Sequence, residues 1–142
     1  MIEQFFEFVV HHWALWSLFA ITLALLIWQE LRTQIGGVQQ LSPQAVVDLI
    51  NHKNAAVIDI RPNANYVKGH ILGAVNIPIE TLDQKNKTLD KYRKNPLILT
   101  CDTGQQSLKE AIKLRKLGFT EIYTLRGGMA AWKNATLPLD IK

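Results

Sequence analysis

Strands that alternate with helices predict an α/β domain: a parallel sheet, right-handed crossovers and helices on both faces. Three observations carry the prediction. Ala56-Val57-Ile58 and Leu97-Ile98-Leu99 are short, continuous apolar runs, the pattern of strands buried on both faces. Apolar residues then recur at helical spacing, as in Leu108, Ala111, Ile112 and Leu114. Finally, Asp59-Arg61, Cys101 and Arg126-Gly127-Gly128 all fall at the carboxyl ends of expected strands, where ligands bind in such folds.

At 142 residues, 48% hydrophobic and 20% charged, the chain has room for one globular domain and little more. Its N-terminal part is different in kind. No charged residue lies between Trp13 and Trp28, and extension back to Phe8 reaches the ~20 residues that a bilayer crossing requires. Trp13, Trp16 and Trp28 stand near the ends, as interfacial anchors do. A single transmembrane helix is expected at about residues 8–28. A cleaved signal peptide fits poorly, because the leader carries Glu3 and Glu7, no Lys or Arg, and no small-residue cleavage site after Trp28. An interfacial or core helix is the other reading, since His11-His12 interrupts the apolar run. Those two histidines point about 100° apart on a helix and make a poor metal pair.

Arg32 is the basic residue next to the span and none precedes it, so the positive-inside rule puts the N-terminus outside and the C-terminus inside. A single cysteine without a partner also suits a reducing compartment. The expected division is 1–30 for the tail and span, 31–37 for a short polar linker with Gly36-Gly37, and 38–142 for the globular domain.

The remaining elements follow in order. Ser42 as N-cap and Pro43 at the first position open a helix with Val46, Leu49 and Ile50 on its apolar face, and 51–54 stops it. A strand at 56–60 ends in the charged Asp59 and Arg61. Residues 62–68 form a loop or short helix, a short strand covers 74–77, and 81–94 holds one or two helical pieces with Leu82, Leu89 and Tyr92 inward. The strand 97–100 leads through the cysteine loop into a helix that Gly118 closes. A fourth strand at 121–125 precedes Gly127-Gly128 and a last short helix with Trp132.

All but one of the sixteen Lys and Arg residues, and nine of the twelve Asp and Glu, lie from Val38 onward, so the +4 net charge belongs to the globular part. Lys85, Lys87, Lys91, Arg93 and Lys94 form one basic group, and Lys109, Lys113, Arg115 and Lys116 another. Near an anionic leaflet each is worth up to ~1 kcal/mol, although solvated helix faces explain most of them. No aromatic residues are interleaved in a way that argues for nucleic acid.

The segment Cys101-Asp102-Thr103-Gly104-Gln105-Gln106-Ser107 joins a strand to a helix. Loop N–H groups and the positive helix end converge there and favour an anion, including a thiolate, the nucleophilic form of cysteine. Buried cysteines more often act as small hydrophobes. This one leaves the core among polar residues, and Gly104 allows a positive φ or a close approach.

With these pieces in hand, the region from about Val38 to the C-terminus resembles a single rhodanese domain, and the whole chain resembles bacterial membrane-anchored single-domain rhodanese-like proteins. The matching residues are Val57 to Arg61 with Tyr66, Gly69-His70-Ile71, Gly73-Ala74, Asn76 and Pro78. The Cys101 loop with Gly104, then Leu125, Gly127-Gly128, Trp132 and Leu137-Pro138 complete the order. The resemblance implies a three-layer α/β fold with a mainly parallel five-stranded sheet, the extra strand near 38–41. It implies that Cys101 takes sulfane sulfur from a donor, holds it as a persulfide, and passes it to an acceptor thiol or cyanide. Asp102 to Ser107 would cradle the sulfur through their N–H groups, and no metal or organic cofactor is needed. Arg126 would supply a cation beside the pocket, with an exposed loop arginine as the plainer alternative. Asp59 and Arg61 would brace the site as a charge pair, and His70 would serve structurally. The implied location is the bacterial inner membrane, with the domain cytoplasmic.

The loop departs from the family pattern. Gln106 stands at the sixth position, where members active on thiosulfate often carry Arg, and Asp102 places a negative charge beside the nucleophile. Both oppose an anionic donor. Ser107 stands where the related cysteine phosphatases need a phosphate-gripping arginine. Thr136 replaces the Gly usual in the closing motif. A non-catalytic, membrane-associated adaptor that binds other membrane proteins is the alternative to a sulfurtransferase.

Overall fold

The computed structural model describes residues 1–35, 37–84 and 86–141, and divides into two compact units, Met1–Gly36 and Gly37–Lys142.

The first unit is two helices, α1 (Ile2–His11) and α2 (Trp13–Ile35). The apolar window long enough to cross a membrane is Trp13–Leu31, 19 residues, and none of it is buried against protein. The window shares Trp13–Trp28 with the expected 8–28 segment, and the helical ladder breaks within that segment at His12. His12 N–H bonds Phe8 O and Trp16 N–H bonds His12 O, whereas Leu15 N–H turns to His12 O in place of His11 O. Residues 31–35, expected as linker, continue α2, since nothing before Gly36 in that stretch is a helix breaker. Gly36 itself lies outside the described residues.

In the second unit, β1 (Gln39–Leu41) precedes α3 (Pro43–Lys53), β2 (Ala56–Asp59), α4 (Asn63–Tyr66) and β3 (Val75–Asn76). There follow α5 (Ile79–Leu82), α6 (Asn86–Leu89), a 3₁₀ turn at Asp90–Tyr92, β4 (Leu97–Thr100), α7 (Gln105–Lys116), β5 (Ile122–Leu125) and α8 (Gly128–Asn134). The five strands lie in the order β1-β5-β4-β2-β3, every pair parallel. In the central register Ile58 faces Leu99 and Leu99 faces Thr124.

Side chains alternate across the sheet. Ile58, Leu97, Leu99 and Ile122 pack with Leu82, Leu89, Ala111 and Leu114 on one face. Val57, Ile98 and Leu125 pack with Val46, Tyr66, Met129 and Trp132 on the other. Helices thus cover both faces, and β4, central and fully buried, is held on both edges.

The local signals explain the boundaries. Ser42 Oγ accepts from Ala45 N–H at 3.3 Å, and Asn54, at φ +50°, ends α3 at Lys53, within the stretch 51–54 expected to stop it. Gly118, at φ +98°, follows the end of α7. Of the basic groups, Arg93 pairs with Asp90 at 2.7 Å and lies over the Phe119 ring, and Lys113 pairs with Glu110 at 2.9 Å. Lys85 lies outside the described residues.

Candidate active site

Strand β4 delivers Cys101 to the carboxyl edge of the sheet, and the chain then curls around its sulfur. Gly104 N–H donates to Cys101 Sγ at 3.0 Å and Ser107 N–H donates at 3.4 Å. The Cys101 thiol donates to Ser107 Oγ at 3.4 Å, while that hydroxyl donates to Gly104 O at 3.1 Å. Two backbone dipoles and the first turn of the twelve-residue helix α7 therefore aim positive ends at one sulfur. The arrangement suits negative charge on that atom or on a sulfur attached to it.

Gly104 makes the curl possible. It sits at φ +90°, and a Cβ there would meet Gly127 N at 3.1 Å and Leu125 O at 3.2 Å. Asp102, Thr103, Gln105 and Gln106 are exposed around the rim, whereas Cys101 is 1% exposed and Ser107 fully buried.

A second support comes from α8. Met129 N–H donates to Cys101 O at 2.8 Å and Ala130 N–H donates to Asp102 O at 3.1 Å. Gly128 presses so closely that a Cβ would lie 2.3 Å from Cys101 O. The Gly127-Gly128 pair was the sequence signal for this contact, though nothing in the sequence said which backbone it would touch.

The third support is the charge pair at the end of β2. Asp59 is fully buried and Arg61 3% exposed, joined at 2.7 Å between Arg61 Nη2 and Asp59 Oδ2. Arg61 Nη2 also donates to Gly69 O at 2.8 Å, and Nη1 lies 3.7 Å from Asp102 Oδ1. Burial opposes the guanidinium charge, but the bonded Asp59 carboxylate and then Asp102 outweigh it and raise the proton affinity of Arg61 above its ordinary range. Asn76, not singled out as a site residue from sequence, ties this corner together by donating to Asp59 O at 3.0 Å and Arg61 O at 2.9 Å.

His70 and Arg126 stand elsewhere. His70 Nδ1 bonds Tyr66 O at 2.9 Å, its ring stacks on Tyr66 at 3.7 Å, and its backbone bridges to Asp140. Burial, with the Asp59 and Asp140 charges, pushes the Tyr66 hydroxyl up from its usual range, and that hydroxyl donates to Ala74 O at 2.6 Å. Arg126 is exposed and donates through Nη2 to Gln40 O at 3.2 Å on the edge strand β1. The structure thus brings Asp102, Gly104, Ser107 and Arg61 around Cys101, and gives Arg126 a partner on β1.

A parallel sheet whose central strand ends in a cysteine ringed by loop amides defines an α/β domain with a cysteine-centred anion cradle. Comparison with known proteins names the family. The sequence profile described as Rhodanese-like domain matches residues 42–135, and the chain belongs to that family. Over 139 residues it is 28% identical to the uncharacterized protein YibN of Escherichia coli (strain K12), covering 97% of each chain. It is 34% identical over 97 residues to the thiosulfate sulfurtransferase GlpE of Shewanella oneidensis, covering 68% of this chain and 94% of that protein. The crystal structure of a rhodanese-related protein from Thermoplasma volcanium superposes with a TM-score of 0.67 at 25% identity, covering 73% of this chain and 99% of the other.

Proposed function

We propose that the chain is a membrane-anchored sulfurtransferase that carries sulfane sulfur on Cys101. One observation carries the reading: Cys101 Sγ accepts N–H groups from Gly104 and Ser107 at 3.0 and 3.4 Å. The Cys101 thiolate attacks the outer sulfur of a donor. The bond between that sulfur and the rest of the donor breaks, and the leaving group, sulfite from thiosulfate or a thiolate from a persulfide, departs with the electron pair. The loop amides then hold the terminal sulfur of the Cys101 persulfide. An acceptor thiolate attacks this sulfur, regenerates the Cys101 thiolate and leaves as the acceptor persulfide.

Asp102 sets the choice of donor. Its carboxylate is 61% exposed at the rim, the Arg61 guanidinium 3.7 Å away is already shared with Asp59 and offsets only part of the charge, and Gln106 on the same loop adds no cation. A dianionic donor meets net repulsion there, so a neutral or protein-borne persulfide is the better substrate. The support for α2 as the anchor is its apolar window at Trp13–Leu31, with the N-terminus outside and the domain in the cytoplasm by the charge rule.

A non-catalytic adaptor is the second reading, favoured by the 1% exposure of Cys101. The two separate on sulfur transfer from a small persulfide donor to a thiol acceptor. A sulfurtransferase turns over and loses all transfer with Cys101→Ser; an adaptor gives no transfer above that variant.

A further inference from the structure

We propose that α1 is a lipid-surface helix, lying in the plane of the membrane interface with its apolar side in the acyl boundary, while only α2 crosses. The proposal rests on the reading of α2 as the anchor. At about 100° per residue, Glu3, Gln4, Glu7 and His11 fall on one stripe of α1, and Ile2, Phe5, Phe6, Phe8, Val9 and Val10 fill the rest of its circumference. Among these, Ile2 is 75% exposed, Phe5 61%, Phe6 63%, Phe8 56% and Val10 69%.

The two helices demand different solvents. In α2 the apolar residues run around the whole circumference from Trp13 to Trp28, and the two hydroxyls there turn back onto their own helix. Ser17 Oγ donates to Ala14 O at 2.9 Å and Thr22 Oγ1 donates to Leu18 O at 2.8 Å. That self-sufficiency suits hydrocarbon. The striped α1 instead needs water on one side and hydrocarbon on the other.

Length points the same way. A single helix over α1 and α2 would run about 50 Å, against a hydrocarbon thickness of about 30 Å. The ladder breaks at His12, before the tryptophan that opens α2. At the junction, Phe8, His12, Leu15, Trp16 and Phe19 line one notch of about 360 Å³, so the apolar side of α1 and the flank of α2 form a continuous surface. One acyl layer covers both, which favours lipid over a protein partner. The stripe holds two glutamates and no Lys or Arg, so apolar insertion rather than attraction to anionic headgroups carries the contact, and a zwitterionic surface suffices.

The test is spin labelling of the full chain in phosphatidylcholine vesicles. In a Cys101→Ser background, single cysteines from Glu3→Cys to Val10→Cys are labelled and scanned for collision with oxygen and with a water-soluble nickel chelate. Labels at Ala20→Cys and Ala24→Cys report on α2. The proposal expects oxygen access to peak at positions 5, 6 and 9 and nickel access at 3 and 7, out of phase at the helical period. Nickel access all around α1, a steady rise in depth from 3 to 10, or low access to both probes on the apolar side would overturn it, the last by revealing a protein or a second copy there. If the labels at 20 and 24 are not in hydrocarbon, the anchor reading fails together with this one. If they are and α1 shows no period, only this proposal fails.

Discussion

Arg61 holds Asp59 with one end of its guanidinium, Nη2 to Oδ2 at 2.7 Å, and faces Asp102 beside the cysteine with the other, Nη1 to Oδ1 at 3.7 Å. The first contact is buried and the second reaches the rim of the site. A single side chain therefore links the integrity of the β2 corner to the electrostatics of the loop.

Replacing Arg61 with Met leaves the fully buried Asp59 carboxylate without its partner, a loss of about 3–5 kcal/mol by the usual cost of breaking a buried pair. Urea unfolding of the chain in mild detergent will show the midpoint fall sharply. Asp59→Asn combined with Arg61→Met will recover part of the loss, because the orphaned charge is then gone.

Asp102→Asn acts differently. The carboxylate is exposed, its contact with Arg61 is long at 3.7 Å and Arg61 keeps Asp59 at 2.7 Å, so the loss of stability will stay below about 1 kcal/mol. Removal of the charge beside Cys101 lowers the barrier to an anionic donor, and steady-state assays will show the ratio of thiosulfate to neutral-persulfide turnover rise about tenfold, an electrostatic effect of about 1.4 kcal/mol.

Gly128→Ala tests the support under the loop. At φ +60° an added Cβ meets Cys101 O at 2.3 Å and Asp102 C at 2.7 Å, both backbone atoms that cannot swing aside. The loop must move. Amide exchange at Gly104 and Ser107 will accelerate and sulfur transfer will fall at least tenfold, as misplacement of a reacting group does.

The order of strands and helices was legible in the residues: two core strands as continuous apolar runs at 56–58 and 97–99, a short strand at 74–77, an alternating β-prone one at 121–125, and α3 and α7 as amphipathic repeats with Ser42 and Gly118 at their ends. β1 was not. Gln39-Gln40-Leu41 has no β signature, and it is a strand because β5 offers it a parallel edge, a tertiary cause. At the site, Cys101, Gly104 and the Asp59-Arg61 pair could be read from spacing. The bonds of Met129, Ala130 and Asn76 could not, since they join segments far apart in the chain. The partner of Arg126 on β1 was hidden for the same reason.

Thr136 shows how structure explains a departure noted in sequence. Its φ is +53°, a left-handed conformation that β-branched residues avoid, which accounts for glycine at this point of the closing motif. Thr136→Gly will stabilise the chain by about 1 kcal/mol, the relief of one strained residue. Differential scanning calorimetry will register it as a melting point several degrees higher.

As a sulfurtransferase, the chain must accept and hold a second sulfur on the sulfur of Cys101. Intact-mass spectrometry of the detergent-solubilised full chain tests it most directly, after incubation with thiosulfate and separately with a persulfide donor. A gain of about 32 Da, one sulfur atom, is expected, strongest with the persulfide, absent in Cys101→Ser and removed by an acceptor thiol. An unchanged mass with both donors, from folded protein whose Cys101 reacts with a small alkylating reagent, would contradict it.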